Sequence, residues 1–83
     1  MKLKINLKGC FNNAQLLPQL LADFVSDIDV SIDHYVVDGK SLFGVLSLNF
    51  NRDLIITIHE KAEGEARKIR DVMRHHGFLV EEV

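Results

Sequence analysis

The chain has one cysteine, one proline and no tryptophan, and its aromatic content is low. Each scarcity excludes something. A lone Cys10 rules out an intrachain disulfide, so a small secreted scaffold is not expected and a reducing cytoplasm fits best. Ten basic residues stand against twelve acidic ones, for a formal net charge of −2. That balance lacks the basic excess expected of a nucleic-acid binder, and the few aromatics offer little for base stacking. Long apolar runs are missing too. The N-terminus, Met1-Lys2-Leu3-Lys4-Ile5-Asn6-Leu7-Lys8, alternates lysine with aliphatic residues and so does not read as a signal peptide. No stretch approaches the roughly 18 apolar residues of a membrane span.

What is present is the ordinary mix of one globular domain spanning residues 1–83. Leu3, Ile5 and Leu7 predict a strand with one wet face. A helix is expected over Gln15 to Val25, from the spacing of Leu16, Leu17, Leu20, Leu21 and Phe24. Its regular part should begin close to Pro18, because proline deep in a helix costs about 3 kcal/mol. Ile28, Val30 and Ile32 predict a second strand, Asp33-His34 a hairpin turn, and Tyr35-Val36-Val37 a third strand. Ser41 to Leu48 reads as a short helix, Asn49 to Asp53 as a polar turn, and Leu54, Ile56 and Ile58 as a fourth strand. Ala62, Ala66, Ile69, Val72, Met73 and His76 share a final helical face, which Gly77 should terminate. The order β-α-β-β-α-β-α predicts an α+β fold: a four-stranded antiparallel sheet with three helices on one face, an open-faced sandwich.

Ser41 is the first functional candidate. At the start of a helix its hydroxyl can accept a hydrogen bond from the N–H of Phe43 or Gly44, and this alone accounts for a serine there. The same geometry favours phosphate, so a regulatory phosphoserine is the competing reading. Leu42, Phe43 and Leu46 follow. A two-turn helix cannot bury all of Leu42, Phe43, Val45, Leu46 and Leu48, so Phe43 and one leucine are expected to stay partly exposed as a partner surface. His34, His59, His75 and His76 are the only imidazoles. None has the spacing of a metal site, and no metal or cofactor is expected. Asp27, Asp29 and Asp33 read as a solvated strand face.

The run Lys40-Ser41-Leu42-Phe43-Gly44-Val45-Leu46-Ser47-Leu48 resembles the regulatory-serine segment of HPr, the histidine-containing phosphocarrier of the sugar phosphotransferase system. The family reads Lys-Ser-Ile-Met-Gly-Val-Met-Ser-Leu at that place. The likeness extends back through "FVSDIDVSIDHYVVDGKS" to Phe24 and forward through the fourth strand, and "EGEARKI" is similar to the start of the family's last helix. It covers Phe24 to about Val72. The resemblance implies an open-faced sandwich of four strands and three helices, and makes Ser41 the counterpart of a serine that an ATP-dependent kinase phosphorylates.

The family's transfer chemistry needs a neutral imidazole at the start of the first helix, within the motif His-Ala-Arg-Pro. Anchored on Pro18, the matching stretch is Gln15-Leu16-Leu17-Pro18, so Gln15 stands at the expected histidine position. An ungapped reading puts Cys10 there instead. No histidine occurs between Met1 and Asp33, so neither alignment supplies the nucleophile. The catabolite-repression homologues of HPr also carry glutamine for histidine and keep the serine; they bind a transcriptional regulator when phosphorylated. The resemblance thus implies a regulatory, non-enzymatic module with a protein partner, either a kinase acting on Ser41 or a transcriptional regulator. The alternatives are a working phosphocarrier with a relocated residue, Cys10 or His34, and a small-ligand-binding α+β domain. The tail Phe78-Leu79-Val80-Glu81-Glu82-Val83 departs from the family. It can cover the sheet edge, pack on the helices, or pair with a second copy as a homodimer.

Overall fold

The computed structural model describes residues 1–83. The elements are β1 (Lys2–Ile5), α1 (Phe11–Leu21), β2 (Asp27–Ile32), β3 (Tyr35–Asp38), α2 (Leu42–Leu46), β4 (Leu54–His59), α3 (Glu65–His75) and β5 (Leu79–Glu82). All strands pair antiparallel in one sheet of order β3-β2-β4-β1-β5. The alternation seen in the sequence sets which face is dry. Leu3 and Ile5, Ile28 and Val30, and Leu54, Ile56 and Ile58 point into a core shared with Ala14, Leu17, Leu21, Val45, Ala66, Ile69 and Met73 of the helices. Lys4, Asp29, Ser31 and Thr57 lie on the opposite, open face.

Two expectations need correction. The sheet has five strands rather than four. The tail forms β5 and pairs with β1, because the free edge of β1 offers unpaired backbone groups within reach of the chain leaving α3. Helix α1 begins at Phe11, not near Pro18, and stops at Leu21 rather than Val25. Pro18 lies inside it, buried. The penalty of an interior proline is offset by fully burying Ala14 and Leu17, which only a helix begun upstream can do. The missing N–H leaves out one rung of the ladder, the bond that would run back to the Ala14 carbonyl.

The ends of α3 follow their sequence signals. The Phe78 N–H bonds the Met73 carbonyl at 2.9 Å and the Gly77 N–H bonds that of Arg74 at 3.0 Å. Gly77 takes φ +75°, the left-handed turn that glycine adopts without a Cβ penalty. Phe78 then drops into the core beside Met73.

Candidate functional site

The short helix α2 carries the residues singled out by sequence. Its five residues are preceded by Ser41 in extended conformation, and the Ser41 hydroxyl accepts from the Gly44 N–H at 3.1 Å. The Ser41 carbonyl in turn accepts from the Val45 N–H at 3.0 Å. The hydroxyl therefore already has an acceptor role. With so few aligned peptides, α2 contributes only a small dipole toward an anion. Gly44 lets the helix sit close to the sheet, since a Cβ there would lie 3.2 Å from both the Ser41 Oγ and the Val37 Cβ. Lys40, next to the serine, is held from two sides. Its N–H bonds the Asp38 Oδ1 at 2.9 Å, and its ammonium donates to the Phe24 carbonyl.

Val45 and Leu48 fill the core and anchor α2, while Leu46 packs partly against it. The other side of the helix faces water. Phe43 is 84% exposed and Leu42 is 38% exposed. The expectation that Phe43 and one leucine stay outside the core is met, and burial of all five apolar residues is excluded.

At the first helix, Cys10 is the residue in extended conformation immediately before α1. Its backbone N–H bonds the Leu7 carbonyl at 3.2 Å and its carbonyl accepts from Ala14. The thiol makes no capping hydrogen bond and is half-buried. Gln15 sits in the second turn of α1, half-buried, because the helix starts four residues before it. The loop that leads in is tied to the segment after α2: the Gly9 N–H bonds the Phe50 carbonyl at 3.3 Å. So the start of α1 and the end of α2 are neighbours.

No imidazole occurs in α1 or in the loop before it. His34 is in the β2–β3 turn, His75 ends α3 and His76 caps it. His59 ends β4 on the open face, where its Nε2 lies 3.2 Å from the Asp29 Oδ2. No group of three or more His, Cys, Asp or Glu residues is arranged to hold a metal ion. No helix is long and apolar enough to cross a membrane.

One polar cluster escaped the sequence reading. Ser26, fully buried, donates its hydroxyl to the Glu65 Oε1 at 2.6 Å and accepts from the Lys61 N–H at 3.0 Å. The Ser26 and Val25 N–H groups also bond the Glu65 carboxylate, at 2.9 and 3.2 Å. The Ser26 hydroxyl, followed by these backbone N–H groups, lowers the Glu65 pKa from its ordinary value. Nearby, Glu60 caps the first turn of α3 by accepting from the Ala66 N–H at 2.9 Å. The Ser26 cluster has no short-range sequence signature, since the partners of Ser26 lie 35 and 39 residues away.

The chain matches no protein-family model. Among solved structures it is similar to HPr-C-His from Thermoanaerobacter tengcongensis, with a TM-score of 0.72 and 25% sequence identity over 88% of this chain and 89% of that one. The fold is HPr-like, an open antiparallel sheet covered by three helices.

Proposed function

We propose that this chain is a regulatory, HPr-like interaction module of the phosphotransferase type that does not relay phosphoryl groups through histidine. It binds a protein partner through Leu42, Phe43 and Leu46, and phosphorylation of Ser41 gates that binding. It is not an enzyme, works in the cytoplasm and needs no cofactor. The observation that carries this reading is Phe43, a ring 84% exposed on a helix whose opposite side is anchored in the core. A large aromatic held in water on a fixed element is the kind of residue that dominates binding when a partner covers it. The missing imidazole at the start of α1 argues against transfer: Cys10 precedes the helix, Gln15 lies in its second turn, and an amide nitrogen is not a useful nucleophile in either place. The partner is either a kinase acting on Ser41 or a transcriptional regulator, the latter by resemblance to the catabolite-repression homologues.

A pull-down comparing wild type, Ser41→Asp and Phe43→Asp tests the proposal. Aspartate is as good a helix cap as serine, so the first variant adds charge while keeping α2. Ser41→Asp should change what is retained and Phe43→Asp should abolish it; identical retention by all three sinks the reading. Incubation with phosphoenolpyruvate and the general phosphotransferase enzyme should leave no acid-labile phosphoprotein.

A second reading rests on Cys10, which stands directly before α1 with its thiol uncommitted. There it acts as a relocated phosphoryl acceptor. A phosphoprotein formed in the same incubation and lost in Cys10→Ser would favour it over the first reading.

A further inference from the structure

Strand β5 grips β1 by charge. In the antiparallel register Lys4 lies opposite Glu81, and their side chains meet at 3.0 Å. On the other face of β5, Glu82 approaches the Arg70 guanidinium of α3 at 3.6 Å. The backbone closes the pairing at both ends: the Asn6 N–H bonds the Phe78 carbonyl at 2.8 Å, and the Val83 N–H bonds that of Lys2 at 2.9 Å. The register slips between Lys4 and Ile5, leaving Val80 unmatched and exposed. Only Phe78 reaches far into the core. The edge of β1 thus receives an acidic extended segment. A second β1 suits it poorly, because antiparallel pairing on one face sets Lys2 or Lys4 against Lys4.

The connection to α3 is a single left-handed glycine. Two backbone hydrogen bonds close the turn, Gly77 N–H to the Arg74 carbonyl and Phe78 N–H to that of Met73, and no side chain packs against it: a Cβ added at Gly77 would meet nothing within 4 Å, so a residue other than glycine is opposed there by the positive φ and not by a clash. If that turn opens, residues 78–83 can leave as a unit and enter the same place in a neighbour. Reciprocal exchange keeps both ion pairs, both backbone closures and the buried Phe78, and changes only the hinge. We propose that β5 is an exchangeable strand, and that the edge of β1 is a docking site for the β5 of a second copy of this chain.

Complementation in trans tests the exchange. One full-length chain carries Gly77→Ala with Lys4→Glu, and the other Gly77→Ala with Glu81→Lys. Alone, each sets like charges against each other across β1 and β5, in the monomer and in its own exchanged dimer. In a mixed exchanged dimer both sites regain opposite charges. After co-refolding at high concentration, native mass spectrometry should find the heterodimer above its statistical share, and Gly77→Ala by itself should be more dimeric than wild type. Exclusively monomeric chains overturn the proposal, and so does a random mixture of dimers, which points to a different surface. Should Gly77→Ala lose the fold, the same mixture with Gly77 intact gives the decisive measurement.

Discussion

Helices α2 and α3 lie in the same domain but are built to different ends. Helix α3 is closed everywhere: Glu60 caps its first turn, Glu65 binds the loop before β2, Ala66, Ile69 and Met73 are buried, and Gly77 with Phe78 seals its exit. Helix α2 has five residues, a single serine cap and one fully buried side chain, with Phe43 pointing into solvent. The contrast separates an element that holds the fold from one that the fold presents. A helix as short as α2 has no independent stability and depends on Val45, Leu48 and its cap to stay in place.

The contrast can be broken most severely at Met73. Replacing this fully buried residue by alanine should cost about 2–5 kcal/mol, read as a lower melting temperature in calorimetry. Glu65→Gln comes next, since it weakens hydrogen bonds to Ser26 and Val25. Its pH dependence has a definite sign. The Glu65 pKa is depressed below its ordinary 4.5, so its stabilisation is complete above that value and is lost as pH falls through the lower folded value. A melting-temperature series across this acidic window should show a shallower loss in Glu65→Gln than in wild type. Ser41→Ala removes only the α2 cap and should cost about 1 kcal/mol, with the loss measured by chemical denaturation. Phe43→Ala is expected to shift stability by less than about 0.5 kcal/mol, because the ring already faces water. The same substitution should eliminate partner retention in the pull-down, the sharpest expression of the difference between the two helices.

Much of this was legible from residue spacing. The alternation in β1, β2 and β4 gives the correct buried faces, and Ser41, Gly77 and the Asp33-His34 turn stand where their local chemistry indicated. The start of α1 was not legible. Pro18 reads locally as marking a helix start, and only the burial of Ala14 and Leu17 against distant strands moves that start upstream to Phe11. The tail was equally opaque, because Leu79-Val80-Glu81-Glu82 carries a bulge that erases the period of two. At the candidate site, the exposure of Phe43 followed from counting how many side chains a short helix can bury. The Ser26–Glu65 cluster could not be foreseen, as it joins residues that only the finished fold brings together.

Ser26 also bears on the order of assembly. Its hydroxyl bridges segments 35 and 39 positions downstream, and β1 must find β4 across some fifty residues of chain. Pairings that distant pay the loop-closure cost before they return anything, so the sheet is expected to form slowly and almost all at once. An N-terminal fragment ending before β4 has no partner for β1 and no carboxylate for Ser26. During synthesis the β2–β3 hairpin has its pairing partners early, but the centre of the sheet must wait until β4 emerges.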